Sequence, residues 1–344
     1  MEALSLFDVV VEPQRTAVLP PPSVVHRRPA PAPVPAVAVG PVLAVVDGNS
    51  LAHRAFHAYP PEDSAGPRYG FLALFAAICD KVAPDAVAVG FDDRASSRRR
   101  ERWPGYKAQR PEKDPALYRL LQELPRLLDS LGVRTVVPEG WEADDVLGSA
   151  SSAAERAGWR CVVATSDRDA FGLVSDLTHV LRLRSGMDAA VLVDRGRLRR
   201  DLAIEPEQYV EFAALRGDVS DNLPGIPGIG RRRAAALLEA FPTVAAACAD
   251  PLGCRSVLGP ALGQAVLEDF AATDSVFIRN VELMTIRRDL AFDVSACRCT
   301  ATPDQISEVL AAAGISGLSG RLSLALATRP DIPPPAGDAD APPV

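Results

Sequence analysis

Five short apolar, β-branched runs dominate what this chain can fold into: VLAVVD at 42–47, AVAVGFD at 86–92, RTVVPE at 134–139, RCVVATSD at 160–167 and HVLRL at 179–183. Short runs this apolar read as strands covered on both faces. Between them lie the helical patterns YGFLALFAAICDKVA, PALYRLLQELPRLLDSLG and EADDVLGSASSAAERAG. The alternation predicts an α/β fold with a mostly parallel twisted sheet flanked by helices. From about Glu205 the pattern becomes almost wholly helical, which divides the folded body into an α/β part at 41–204 and an α-rich part at 205–327. Residues 1–40 carry eight prolines and no sustained period, and 328–344 has the same character, so both read as disordered.

The strand ends carry the functional signal. Asp47 ends the first run, Asp92 and Asp93 end the second, Glu142 follows the third, and Asp167 ends the fourth with Asp169 two residues on. In open α/β sheets the crevice beyond the carboxyl ends of the strands is the usual binding site, so these acids are expected at one rim. The next helix adds Asp144 and Asp145, with Glu142 and Asp145 three apart on one face. Singly, each acid reads equally as a turn residue or as favourable charge at a helix start. Together they repel: two carboxylates about 4 Å apart cost roughly 4 kcal/mol at an effective dielectric near 20. A cation is therefore expected among them. His53 and His57 fall downstream of Asp47 on a helix and are not counted with the acids, and an all-oxygen set favours Mg²⁺ or Mn²⁺ over zinc.

Charge distribution adds a second clue. The 344 residues sum to −7, yet Arg94–Lys113 holds eight basic residues against two acidic ones. A basic strip beside metal-binding acids suggests phosphoryl chemistry on nucleic acid. Six cysteines are scattered without a CxxC unit, which indicates neither a disulfide framework nor a structural zinc site. The N-terminus lacks a secretory pattern and no apolar run approaches the roughly 20 residues of a membrane span, so the expectation is a cytoplasmic protein with no membrane contact. Further on, GDVSDNLPGIPGIGRRRAAALLEAF places Asp218 and Asp221 before a Gly/Pro hairpin and three arginines. In isolation it reads as a capped turn before a surface helix.

Taken in order, VVDGNSLAHRAF, VGFDDRASSRRRERWPGYKAQR, EGWEADDVLG, VVATSDRDAFGLVSD and GDVSDNLPGIPGIG resemble the 5′ nuclease family. That family comprises the 5′-to-3′ exonuclease domain of bacterial DNA polymerase I and the flap endonucleases, and the likeness spans roughly 42–325. It implies a PIN-like fold with a helical arch and a C-terminal helix-hairpin-helix-like region, here as a stand-alone enzyme. It further implies that Asp47, Asp92, Glu142, Asp144 and Asp145 surround one metal ion, and Asp167, Asp169, Asp218 and Asp221 a second. Lys107, Arg99 and Asp145 form the expected catalytic set, with Lys107 and Arg99 on the scissile phosphate. Arg54 and Arg110 steer the strand, and Tyr106 either stacks on a base or packs as a hinge residue. Gly225, Gly228 and Gly230, with Arg231, Arg232 and Arg233, are expected on duplex phosphates, and the likeness alone implies a potassium ion there.

Two departures stand out: Ser166-Asp167-Arg168-Asp169 where the family has Gly or Ala before Asp-Lys-Asp, and Arg231–Arg233 where it has lysine. The implied partners are DNA with 5′ ends or flaps, RNA–DNA hybrid and a separate DNA polymerase, with the protein a monomer. Two other readings stay open: a non-catalytic structure-specific DNA-binding protein and a toxin-like PIN-type ribonuclease.

Overall fold

The computed structural model describes residues 40–59, 66–184 and 186–327. Apart from Gly40, the proline-rich leader and tail lie outside these residues. In chain order the first half comprises β1 (Val42–Asp47), α1 (Gly48–Ala58), α2 (Gly66–Val82), β2 (Ala86–Gly90), α3 (Arg98–Arg102), α4 (Pro115–Ser130) and β3 (Arg134–Val136). Then follow α5 (Ala143–Arg156), β4 (Arg160–Thr165), β5 (Thr178–Arg184), β6 (Gly186–Val193) and α6 (Arg195–Leu202).

The sheet runs β3-β2-β1-β4-β5-β6. Every neighbouring pair is parallel except β5–β6, which is antiparallel. Central β1 is buried along its whole length, as a strand with helices on both faces must be. The antiparallel edge strand β6 is the one the sequence pattern does not announce.

The second half is helical around one short ladder. It comprises α7 (Tyr209–Arg216), the strands β7 (Gly217–Asp218) and β8 (Leu223–Pro224), and α8 (Arg231–Ala240). After them come α9 (Val244–Ala249), α10 (Pro251–Leu258), α11 (Pro260–Ala271), α12 (Val276–Met284), α13 (Pro303–Ala312) and α14 (Ser319–Leu326).

Two cores sandwich the sheet. On one face Leu43 and Val45 share a core with Leu147 of α5, Phe212 of α7, Leu237 of α8 and Phe277 of α12. On the other, Ala44 and Val46 join Phe71 of α2, Leu124 of α4, Leu310 of α13 and Leu322 of α14. Helix α4 shows why its sequence is a helix: Asp114 caps it, Pro115 occupies the first turn, and Leu117, Leu120, Leu121, Leu124 and Leu128 make one buried stripe. Each such leucine stabilises the fold by about 1.5–3 kcal/mol. The expected boundary at 204/205 falls inside one compact unit that begins at Gly40. The helices beyond it cover both sheet faces, and Arg321 of α14 pairs with Asp80 of α2.

The helical arch is not formed as a helix. After α3 the chain passes through consecutive turns from Pro104 to Gln109, and Lys107 lies in the left-handed region at φ 54°. Pro104, Gly105 and Pro111 supply the physical reason, since neither residue type continues a helix well.

Candidate active site

The parallel register brings the acids to one rim. Asp47 is level with Gly90 of β2, and Val46 with Ala164 of β4, so the ends of three strands open together. Asp47 also caps α1, accepting from Ser50 N at 2.8 Å and from Thr165 Oγ1 at 2.7 Å. Asp92 accepts from Ala143 N at 2.9 Å, which ties the end of β2 to the start of α5. Asn49 completes this tie by donating to the Asp92 carboxylate while its own Oδ1 accepts from Asp92 N. Ser50 and Ser166 hydroxyls meet at 2.7 Å and join α1 to the loop after β4.

Six of the nine expected metal ligands line one cavity of about 730 Å³: Asp47, Asp92, Asp144, Asp167, Asp169 and Asp218. Four of them sit where burial and like charge disfavour the ionised form. Burial, with Asp92 and Asp167 nearby, pushes Asp47 up to about 7. Burial followed by Glu142 raises Asp92. Burial and then Asp167 raise Asp144 and Asp169 well above the carboxylate range. Asp144 Oδ1 is buried without a hydrogen-bond partner among the described residues. An unpaired acceptor in a crowd of acids is costly unless a cation meets it.

Among the described residues no three acid, histidine or cysteine side chains converge closely enough to enclose an ion by themselves. A spread set of carboxylates fits a hard divalent ion that keeps several waters.

The other three acids are not among the residues lining this cavity, and each pairs with a protein cation. Asp145 is 0% exposed and receives Arg99 in a two-pronged pair at 2.6 and 2.8 Å, together with Arg287 N and Glu142 N. Both its oxygens accept hydrogen bonds from protein donors. Glu142 accepts Lys107 Nζ at 3.0 Å and the Tyr106 hydroxyl at 3.1 Å. Burial pushes Glu142 upward, but Lys107 and Arg99 outweigh it and hold the carboxyl below its usual range. Asp221 pairs with Arg110.

The basic residues change accordingly. Arg99 is only 7% exposed and also donates to the Leu283 carbonyl, so it braces the site and does not meet a phosphate as placed. Tyr106 is buried, which favours the packed reading over base stacking. Lys107, Arg110 and Arg54 do border the cavity. So does His53, contrary to the expectation that no histidine accompanies the acids, and burial and then Lys113 push it down to about 4. Its signal was available: Asn49 and His53, four apart on α1, share a face.

In the hairpin, Gly228 adopts φ 82° and Gly230 opens α8 with no side-chain cap, leaving amides free. Gly225 instead serves packing, because a Cβ there would lie 2.3 Å from the Arg216 backbone. Arg232 is exposed, while Arg233 turns back to the Gly228 carbonyl and Arg231 to that of Asp201. No helix among the described residues is long and apolar enough to cross a membrane.

Comparison with known proteins agrees with this geometry. The profile of the 5′-3′ exonuclease N-terminal resolvase-like domain matches residues 42–201, and that of the 5′-3′ exonuclease C-terminal SAM fold matches 204–307. DNA polymerase I of Mycobacterium tuberculosis is 35% identical over 257 residues, covering 73% of this chain and 28% of the polymerase. The thermostable DNA polymerase I of Thermus aquaticus is 36% identical over 259 residues, covering 73% and 29%. The chain thus spans less than a third of the length of these relatives. Among solved structures, T5 5′-exonuclease with bound divalent zinc superposes with a TM-score of 0.59 at 20% identity, covering 83% of this chain and 98% of the other. With both halves of its folded body matched in sequence and the same fold found in T5 5′-exonuclease, the chain belongs to the 5′-3′ exonuclease family.

Proposed function

We propose that this chain hydrolyses DNA phosphodiester bonds at 5′ ends and 5′ flaps as a divalent-metal-dependent exonuclease and flap endonuclease. The observation that carries this reading is the cavity at the strand ends, where six carboxylates face one space and Asp144 Oδ1 has no partner among the described residues. Asp47, Asp92 and Asp144 would hold one Mg²⁺ or Mn²⁺, and Asp167, Asp169 and Asp218 a second, directly or through water. Such ions, when bound, neutralise charge on the cleaved phosphate and activate water.

The chain's own residues supply the framework. Ser50 and Thr165 pin Asp47 in one orientation, and Asp145 fixes the first turn of α5 so that Asp144 faces the cavity. Lys107, Arg110, Arg54 and Lys113 place positive charge along one wall. A substrate phosphate would draw Lys107 from Glu142 by replacing one oxyanion with another. The free amides at Gly230 and the exposed Arg232 offer contacts to a duplex phosphate that read no bases. The resemblance extends the proposal to RNA in RNA–DNA hybrids, a potassium ion at the hairpin, and a monomeric cytoplasmic protein acting beside a separate DNA polymerase.

The test incubates wild type and Asp144→Asn with Mg²⁺ and a 5′-labelled flap duplex. Short labelled products are expected from wild type, with a loss in the variant beyond the roughly 10–100-fold of outer-shell changes. Equal release by both proteins overturns the site assignment. Binding without cleavage by either favours a non-catalytic protein, and a preference for single-stranded RNA favours a ribonuclease.

A further inference from the structure

Behind the acid cavity lies a second cavity of about 450 Å³ with the opposite character. Arg168, Arg182 and Arg216 line both, so they form the wall between them, and Arg200 borders the far side. Arg182 stands level with Thr165 in the β4–β5 register, at the same rim as Asp47. None of these four arginines pairs with a carboxylate among the described residues; Asp201, the one acid lining this second cavity, pairs with Arg197. Two features mark it as a built site. The Nε atoms of Arg182 and Arg216 are buried with no hydrogen-bond partner among the described residues. Their guanidinium groups are held over aromatic rings, Arg182 at 6.0 Å from the Phe171 centroid and Arg216 at 5.7 Å from that of Phe212.

Gathered cations with unfilled buried donors are as unfavourable as gathered acids, and an oxyanion that accepts several N–H groups at once resolves them. We propose that this cleft is a phosphate subsite flanking the acid cavity, with Arg182 and Arg216 as its principal donors. The inference rests on the nuclease reading only for the identity of the strand; the anion chemistry follows from the arginines. A backbone phosphodiester of the bound DNA and a free nucleoside 5′-monophosphate offer the same oxygens.

The experiment measures binding of a 5′-flap duplex in EDTA, from 50 to 200 mM salt, by fluorescence anisotropy. Wild type is compared with Arg182→Gln/Arg216→Gln and with a control, Arg156→Gln, at the far end of α5. A parallel calorimetric titration uses thymidine 5′-monophosphate. If a strand phosphate occupies the cleft, the double variant loses about 10-fold in affinity and its salt slope falls by about 0.7–0.9 per lost contact, with the control unchanged. If a released nucleotide occupies it, DNA affinity holds and monophosphate binding is lost. Unchanged affinity for both overturns the subsite. Should the double variant unfold, Arg168→Gln/Arg200→Gln at the exposed rim gives the same reading with a smaller change, about 3-fold. Binding is read without metal, so a wild type that grips DNA in this way but never cuts it removes the nuclease reading and leaves the subsite standing.

Discussion

The wall of the acid cavity and the layer behind it use the same residue types to opposite ends. On the wall, Asp47, Asp92, Asp144 and Asp169 are pushed upward by burial and by neighbouring carboxylates. Behind it, Asp145, Glu142 and Asp221 are each clamped by a protein cation. Partner, more than position in the sequence, divides the carboxylates into those without a protein cation and those held by one.

Arg99→Ala breaks that comparison most severely. It strands Asp145 in the interior, and unfolding by denaturant should show a loss of about 3–5 kcal/mol. Arg99→Lys should restore only part of it, because a lysine cannot reproduce the two-pronged pair. Asp144→Asn strikes the wall instead: it relieves repulsion, so the metal-free variant should melt no lower than wild type although cleavage is lost. A fall of several degrees would place Asp144 among the frame residues.

The two layers should also respond to pH in opposite directions. Asp47 is raised from 3.8 to about 7, so its contribution is fully present below about pH 4 and is lost as pH rises through 7. Glu142 is depressed, so its contribution is present above the ordinary carboxylate range and is lost on acidification. Calorimetry in EDTA should show a melting point about 3 °C lower at pH 8 than at pH 5. Mg²⁺ should restore more at pH 8, where Asp47 is ionised. A shift of equal size at both pH values would contradict the division. The smallest effect belongs to Tyr106→Phe, which removes one hydrogen bond to Glu142 and should cost about 1 kcal/mol in equilibrium unfolding with little change in base preference.

Much of this was readable in advance because strands covered on both faces leave unmistakable apolar runs, and because in a parallel sheet their ends share one rim. What escaped was non-local. Nothing in DDVLG tells that Asp145 meets Arg99, 46 residues earlier. The left-handed turn at Lys107, which sends its amine to Glu142, is hidden in a segment that reads as a basic arch. Likewise Arg182 and Arg216 come from different elements, so no linear pattern unites them.

The Arg99 brace reaches further than the site. Its guanidinium touches the Leu283 and Thr285 carbonyls, and Arg287 N returns to Asp145. The two family profiles meet near residue 204, yet part of the bracing of the first turn of α5 comes from beyond residue 280. Modularity of inheritance and modularity of folding therefore part company here: a fragment ending at the profile boundary would keep Arg99 and Asp145 and lose the Leu283, Thr285 and Arg287 backbone that braces them.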